Sequence, residues 1–208
     1  MINEIIESGD GYGTSNIGAG QSILLEYVSA NPTGPLHVGH GRGAAYGATV
    51  SNLLRSVGYK VDNEYYVNDA GRQMDILSVS IFLRYLALCG ETIRFPDNGY
   101  QGKYINDIAS NIMQTYSDAF HKESALVFEG ICKDELEGGN KESHIDELIS
   151  RSKELLGEGF KSIFKVGIES ILSGIKKDLA DFGVVFEKWF SEQSLIDNGL
   201  SEDSIKKL

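Results

Sequence analysis

Cysteine is scarce in this chain of 208 residues, and its scarcity limits how the fold can be held together. Cys89 and Cys132 form no Cys-x-x-Cys pair and have no histidine at a metal-ligand spacing. Two isolated thiols predict a reduced, cytoplasmic protein without a disulfide framework or a metal site. Long apolar runs are also missing, because none reaches the ~18 residues of a membrane span. Residues 1–20 lack the pattern of a secretory signal, so no membrane association is expected.

Basic charge is low as well. The sequence has 19 basic and 30 acidic residues, a net charge of −11 at pH 7. Because phosphate binding depends largely on Lys and Arg, this balance excludes attraction of nucleic acid by the whole surface. An RNA partner would have to meet a local patch, or its main basic surface would lie outside this chain. Hydrophobic residues make up 41% of the chain, which is enough for one domain with a core and a small insertion.

Strand and helix patterns alternate in the first part of the chain. In order, they are a strand at Ile23–Val28, a helix at Gly39–Val57, a strand at Tyr59–Val67 and a helix at Met74–Cys89. Either Asn68 or Asp69 is expected to cap the second helix. This order predicts an α/β fold in which a helix connects two parallel strands.

The later part of the chain is dominated by helix patterns. Helices are predicted within 104–120, 122–158 and 159–182, and the middle segment is strongly acidic. Its apolar spacing predicts amphipathic helices with a solvated acidic face. Val184–Glu187 is rich in strand formers and is predicted as a third strand, with Trp189 and Glu192 just beyond it.

The segment between the first strand and the first helix carries the chemistry. It contains His37-Val38-Gly39-His40, and helix N-termini at strand ends favour phosphate binding. Two histidines there add donors for phosphate oxygens, and Gly39 leaves room for a nucleotide. The overlapping Gly39–Gly43 run fits a dinucleotide fingerprint poorly, because its third glycine would fall on Ala44.

Four blocks in order along the chain carry a family resemblance. They are Ser29–Gly43, Tyr65–Gln73, Tyr100–Ile105, and Phe182–Val184 together with Trp189–Glu192. The first block reads Ser-Ala-Asn-Pro-Thr-Gly-Pro-Leu-His-Val-Gly-His-Gly-Arg-Gly and resembles the signature region of bacterial arginyl-tRNA synthetases. The resemblance extends from about residue 11 to the end. It implies the first half of the Rossmann-like class I synthetase nucleotide-binding fold, with a helical insertion.

The implied domain division has four parts. Residues 1–20 would be a flexible tail, and 21–120 the first half of the nucleotide-binding α/β domain. Residues 121–183 would be a mainly helical insertion, and 184–208 a returning strand with the start of the next helical segment. The family's N-terminal domain, second half-fold, lysine-rich loop and anticodon-binding domain have no counterpart here. The resemblance therefore predicts a fragment that is largely inactive alone.

The implied activity is that of an arginine–tRNA ligase, with arginine, ATP and tRNA as partners and Mg²⁺ expected with the ATP. His37 and His40 match the family's catalytic histidines and, with Gly39, its ATP site. Ser29, Asn31 and Glu192 match arginine-binding positions, and no protein ligand is assigned to a metal.

Each assignment has a plainer interpretation. Ser29 and Asn31 also favour turns, and Glu192 could be a surface acid or a helix cap. Trp189 could stack on a cation or belong to the core, and Asp69 could line the pocket or cap its helix.

Two other functions stay open at this point. One is a smaller nucleotidyltransferase with the same His-x-Gly-His turn, although the later blocks do not resemble such enzymes. The other is a synthetase-like module that binds partners without catalysis, against which the intact His37 and His40 argue. Binding of ATP and of arginine separates these functions, because a pure interaction module should bind neither.

Overall fold

The computed structural model describes residues 1–207, and only the backbone of Glu202 and Asp203. The chain forms two compact units. The first unit contains Met1–Asn31, Leu36–Asn68 and the chain from Lys176 onward, and the second contains Pro32–Pro35 and Asp69–Ile175. Across the described residues, no helix is both long and apolar enough to cross a membrane.

The first unit is built on a parallel sheet of three strands. Strands β1 (Ser22–Glu26), β2 (Lys60–Val67) and β3 (Lys188–Ser191) lie in that order, with β2 in the middle. Glu26 pairs with Glu64, which pairs in turn with Lys188. Its helices are α1 (Ile2–Ser8), α2 (Val38–Ser56), α8 (Gln193–Asp197) and α9 (Leu200–Ile205). The prediction of an α/β fold on a parallel sheet is confirmed.

Helix α2 packs closely against the sheet because it presents small residues there. Ala44 is fully buried, and a Cβ at Gly47 would lie 2.2 Å from the Tyr27 ring. The Tyr27 ring in turn lies 4.5 Å from that of Phe186, centroid to centroid. Apolar side chains on one face of the sheet thus form the core under α2, which fixes where the N-terminus of α2 lies.

The third strand begins later than the sequence predicted. Val184–Glu187 was predicted as a strand, but β3 starts at Lys188. The reason is the side chain of Glu187, because one of its carboxylate oxygens accepts the backbone N–H of Asn63 at 2.8 Å. The backbone N–H of Glu187 in turn donates to the backbone carbonyl of Asn63 at 3.1 Å. The other carboxylate oxygen accepts from Arg55 Nη2 at 2.7 Å. A side chain therefore replaces the backbone partner at the start of the ladder.

The longer segment of the second unit, Asp69–Ile175, is mainly helical. Its helices are α3 (Arg72–Leu88), α4 (Lys103–Tyr116), α5 (Ser124–Val127), α6 (Lys141–Leu156) and α7 (Glu158–Asp181) as far as Ile175. The cap predicted for α3 at Asn68 or Asp69 is wrong. The N-cap is Gly71, which makes no side-chain cap bond and turns the chain at φ +83°. A glycine adopts this conformation without steric cost, so a polar cap is not needed to begin the helix.

Residues 1–20, which their Gly- and Ser-rich composition predicted to be a tail, contain α1 and a hydrogen-bonded segment. The N–H groups of Ser15, Gly18 and Gly20 donate to the carbonyls of Ser56, Val57 and Gly58 at 2.8–3.0 Å. A Cβ at Gly18 would lie 2.6 Å from the backbone nitrogen of Tyr59. Residues 15–20 therefore lie against the turn between α2 and β2.

We expect Gly47→Ala to lower the free energy of unfolding by about 1–3 kcal/mol, because its Cβ overlaps the Tyr27 ring. The matched control is Gly43→Ala on the same helix, where a Cβ meets no atom within 4 Å. That change should raise the free energy of unfolding by about 0.5–1 kcal/mol through helix propensity. Urea unfolding measures both, and equal effects would refute the packing described for α2.

Candidate functional site

All six site residues predicted from the sequence lie in the first unit, after strand ends or at the start of α2. Since parallel strands end at the same edge of a sheet, the segments that follow β1, β2 and β3 share that edge. Ser29 and Asn31 follow β1, and Glu192 follows β3. The remaining three, His37, Gly39 and His40, lie at the start of α2.

The two histidines cap α2 reciprocally. His37 is the N-cap residue, and its Nδ1 accepts the Gly39 N–H at 3.1 Å. In the opposite direction, Nδ1 of His40 accepts the His37 N–H at 3.2 Å. The two rings stack with centroids 3.7 Å apart and an interplanar angle of 23°. This is the capping-box arrangement, formed here by two imidazoles instead of a hydroxyl and a carboxylate.

The capping bonds determine the tautomer of both neutral rings. A nitrogen that accepts a backbone N–H carries no proton, so the proton of each neutral ring is on Nε2. Each ring therefore keeps one N–H donor outside the cap. Burial lowers the pKa of His40 below its ordinary value of 6.5, and the neighbouring His37 lowers this pKa further by a smaller amount. The neutral form that the cap requires is thus favoured at His40.

Gly39 is required by the cap itself. A Cβ at this position would lie 2.9 Å from Cε1 and 3.0 Å from Nδ1 of the His37 ring. Any larger residue would push the imidazole away from the N–H that it accepts. The sequence predicted that Gly39 leaves room for a nucleotide, and the structure adds that it leaves room for His37.

The turn after β1 is strained. Val28 and Ser29 have φ of +66° and +40°, a region that β-branched and other L residues rarely occupy. Such residues cost on the order of 1–3 kcal/mol each and persist where surrounding contacts hold them. One contact is the Ser29 hydroxyl, which accepts the Tyr66 N–H at 3.1 Å. Its oxygen thus serves as a partner for β2, in agreement with the turn-forming interpretation of Ser29.

The next two residues of this turn are also held by β2 or by the residue after it. The Tyr65 hydroxyl accepts the Ala30 N–H and donates to the Ala30 carbonyl, both at 3.0 Å. The side-chain oxygen of Asn31, which is exposed, accepts from Nδ2 of Asn68 at 3.1 Å. Three successive residues after β1 are therefore attached to β2 or to the residue that follows it.

Glu192 lies directly after β3. Its N–H donates to the Val67 carbonyl at 3.0 Å, and it is the N-cap residue of α8 without a side-chain cap bond. The side chain is half-buried. Within residues 1–207, no hydrogen bond or ion pair engages its carboxylate. The helix-cap alternative is thus not realised by this carboxylate, which can accept a ligand.

Trp189 belongs to the aromatic core. Its ring stacks on Tyr65 with centroids 4.3 Å apart, and Phe186 meets it edge-on at 5.6 Å. Lys176 Nζ lies 4.8 Å from the centre of the Trp189 ring. The cation near this ring is therefore a lysine of the same unit.

Neither of two surface clefts in the second unit coincides with the histidines. One of about 380 Å³ is lined by α6 residues such as Asp146 and Arg151, and one of about 250 Å³ contains Asp134 and His144. Several of their charged groups pair with one another, as Arg151 does with Glu154 and Arg94 with Glu137. Across the described residues, no group of three His, Cys, Asp or Glu side chains is arranged to hold a metal ion.

Comparison with known proteins finds relatives of one kind. The model of the class I (R) tRNA synthetase catalytic domain matches residues 1–86. The arginine–tRNA ligases of Hydrogenovibrio crunogenus and Vesicomyosocius okutanii are 54% and 55% identical to the chain over its whole length. The chain is thus similar to arginine–tRNA ligases along its whole length. It spans about 36% of the length of these two relatives.

A solved structure supports the same assignment of the fold. A Campylobacter jejuni protein described as an arginyl-tRNA synthetase superimposes with a TM-score of 0.71 at 29% identity. The match covers 99% of this chain and 38% of that one. The predicted resemblance to this synthetase family and its Rossmann-like fold are confirmed, as is the prediction that the chain corresponds to part of a synthetase.

Two residues of this candidate site were missed by sequence reasoning. Tyr65 and Asn68 lie in a block that resembles the family, but the pattern indicated only a strand and a helix cap for them. Nothing in local spacing shows that a tyrosine in β2 binds the backbone of a residue 35 positions earlier. The alternation that places Tyr65 on the buried face was readable, whereas the target of its hydroxyl was not.

We expect the cap of α2 to weaken as the pH falls below 6.5. Protonation of His40 places a hydrogen on Nδ1 and removes the acceptor for the His37 N–H. Because the pKa of His40 is lowered by folding, the unfolded chain binds more protons in this range, and stability falls with decreasing pH. The NMR shift of the His37 amide, followed over pH, reports the cap directly.

The matched variants for this titration are His40→Gln and His121→Gln. Glutamine at this position keeps a capping acceptor but does not titrate, so the His37 amide shift should lose its pH dependence. His121 lies in the second unit beside Glu91, and its replacement should leave the titration unchanged. If the His37 amide shift changes with pH as much in His40→Gln as in the unaltered chain, the cap does not depend on the His40 imidazole.

Proposed function

We propose that this chain forms part of the catalytic domain of an arginine–tRNA ligase, which activates arginine with ATP and transfers it to tRNA. The observation that carries the proposal is the reciprocal histidine cap at the N-terminus of α2, on the carboxyl edge of a parallel sheet. The identity of 54–55% to arginine–tRNA ligases supports this activity over other His-x-Gly-His nucleotidyltransferases.

The ATP phosphates are proposed to bind at the N-terminus of α2. His37 and His40 each present an Nε2–H outside the cap, and the Val38 N–H has no partner among residues 1–207. The dipole of this 19-residue helix adds partial positive charge at the same end. Several donors therefore converge where phosphate oxygens would carry negative charge. Gly39 adds no side chain that would obstruct them.

In the proposed first step, a carboxylate oxygen of arginine attacks the α-phosphorus of ATP. A new C(O)O–P bond forms, the bond to the bridging oxygen breaks, and pyrophosphate leaves with that electron pair. The protein supplies no covalent nucleophile, so its contribution is alignment and stabilisation of charge on the phosphate oxygens. His37 and His40 are the residues proposed for that stabilisation. In the second step, a ribose hydroxyl of the 3′-terminal adenosine of tRNA attacks the arginyl carbonyl carbon. An ester bond forms, the acyl–phosphate bond breaks, AMP leaves with that electron pair, and the hydroxyl proton is released.

Arginine is proposed to bind between the turn after β1 and the residue after β3. A guanidinium has five donors and favours a carboxylate partner, and the half-buried Glu192 offers one without an internal partner in the described chain. Asn31 and Ser29 are proposed to contact the backbone groups of the amino acid. The Ser29 hydroxyl suits this role as a donor, because its own bond to the Tyr27 carbonyl is long, at 3.5 Å.

Mg²⁺ is proposed to arrive with the nucleotide and to neutralise charge on its phosphates. The residues described hold no cluster of carboxylates suited to fix the ion. The tRNA is proposed to find most of its basic surface outside these 208 residues, in keeping with the net charge of −11.

We expect the chain alone to show little or no arginine-dependent exchange between ATP and pyrophosphate, with or without tRNA. The reason is that the ATP and tRNA sites of the proposed enzyme need residues beyond the 36% of its relatives' length that this chain spans. Isotope exchange with labelled pyrophosphate measures this activity. Robust turnover by the 208-residue chain would contradict the proposal of a partial site.

Binding of ATP by this chain is the companion measurement, made by calorimetry with Mg²⁺. His40→Gln should weaken ATP binding about tenfold to a hundredfold, because a hydrogen bond to a charged group contributes about 1.5–3 kcal/mol. His121→Gln in the second unit is the control and should leave affinity unchanged. A chain that binds neither ATP nor arginine would favour a non-catalytic module and refute the proposed function.

A further inference from the structure

We propose that Tyr65 is a positioning residue for this site: its hydroxyl holds the turn at Val28–Asn31 in the conformation that presents Asn31 to the ligand. The inference rests on the proposed function for the identity of the ligand, but the role of the hydroxyl in holding the turn can be tested without any ligand. The sequence alone indicated no binding or catalytic role for Tyr65.

The hydroxyl satisfies both backbone polar groups of Ala30. It accepts the Ala30 N–H and donates to the Ala30 carbonyl, each at 3.0 Å. Ala30 is 7% exposed and Tyr65 fully buried, so water has little access to either group. Unpaired buried backbone groups are costly. Removal of this one oxygen therefore leaves a donor and an acceptor unsatisfied in the same residue.

The turn that Tyr65 holds would relax if released. Val28 and Ser29 both have positive φ, which a β-branched residue and a serine adopt only where their surroundings impose it. The contacts on either side of Ala30 are weaker restraints, because they are less buried. They include the bond from the Tyr66 N–H to Ser29 and the bond between the side chains of Asn31 and Asn68. The bonds of Tyr65 are the buried centre of this set.

The ring of Tyr65 is itself held in place. It stacks on Trp189 at 4.3 Å with an interplanar angle of 18°, and it meets Phe186 edge-on at 5.4 Å. Burial raises the pKa of the Tyr65 hydroxyl to about 12, so the group remains a donor at neutral pH. A fixed ring with a protonated hydroxyl gives the turn a rigid point of attachment. Asn31, one residue further along, takes its position from that point.

The chain supplies a closely matched control in Tyr85. Tyr85 is also fully buried, and the pKa of its hydroxyl is likewise raised to about 12. Like the Tyr65 hydroxyl, it bonds to one backbone carbonyl and one backbone N–H. It donates to the Ser117 carbonyl at 2.7 Å and accepts the Phe120 N–H at 3.2 Å. Those contacts lie in the second unit. Tyr85→Phe therefore removes the same chemical group in the other unit.

The test compares Tyr65→Phe with Tyr85→Phe in the whole 208-residue chain. Both keep the ring, and the free energy of unfolding of each shows how far the loss of a hydroxyl destabilises the fold. Amide hydrogen exchange, resolved by NMR, is measured at Ser29, Ala30 and Asn31, together with the side-chain amide signals of Asn31. ATP and arginine affinities are then measured by calorimetry on both variants.

We expect Tyr65→Phe to exchange at least tenfold faster at residues 29–31, to shift the Asn31 side-chain signals, and to weaken arginine binding about tenfold. Tyr85→Phe should leave these signals and affinities unchanged at a comparable loss of stability. The proposal is overturned if residues 29–31 exchange no faster in Tyr65→Phe than in Tyr85→Phe. It is equally overturned if arginine affinity falls alike in both.

Failure of the proposed function gives a different result. If the unaltered chain binds neither ATP nor arginine, the assignment of ligands fails. Amide exchange at residues 29–31 and the NMR signals of the Asn31 side chain still decide whether Tyr65 positions the turn. Should Tyr65→Phe fail to fold, Trp189→Phe offers a second variant. It keeps the Tyr65 hydroxyl but weakens the stack that fixes it, and it should raise exchange at residues 29–31 by a smaller factor.

Discussion

Strand β2 extends three residues beyond its last pairing with β1, and the candidate site is built on the hydrogen bonds of that extension. β1 ends opposite Glu64, while Tyr65, Tyr66 and Val67 continue. A strand cannot leave buried N–H and carbonyl groups unpaired. On one side β3 pairs with this extension. On the other side the turn after β1 supplies a serine hydroxyl to the Tyr66 N–H, and Tyr65 returns two bonds to Ala30.

This arrangement explains why structural and proposed binding roles fall on the same residues. Ser29 completes the edge of the sheet with its oxygen, and His37 and His40 complete the first turn of α2 with their Nδ1 atoms. The groups proposed to contact substrate are the Nε2–H of each histidine, which lies outside the cap, and the Ser29 hydroxyl, whose bond to the Tyr27 carbonyl is long at 3.5 Å. Replacement by alanine would remove both roles at once. Substitutions that keep the structural bond, such as glutamine for His40, separate them.

The sequence supported the order of strands and helices and the location of the histidine turn, because periodicity and turn chemistry are local signals. It did not support the start of β3 at Lys188, since the side chain of Glu187 takes the place of a backbone acceptor and no spacing pattern shows this. The cap of α3 was wrong for a related reason: Gly71 turns the chain without a polar side chain. The bonds of Tyr65 and Asn68 depend on residues more than 30 positions away. Such contacts follow from tertiary packing and leave no mark on local pattern.

The single tryptophan of the chain lies where these contacts meet. Trp189 stacks on the Tyr65 ring and has the Lys176 ammonium 4.8 Å from its centre. An indole beside a cation and a second ring has an emission that depends on both neighbours. Excitation at wavelengths that tyrosine does not absorb would select it from the ten tyrosines. The fold therefore contains its own fluorophore beneath the turn after β1, and no label is needed to follow movements there.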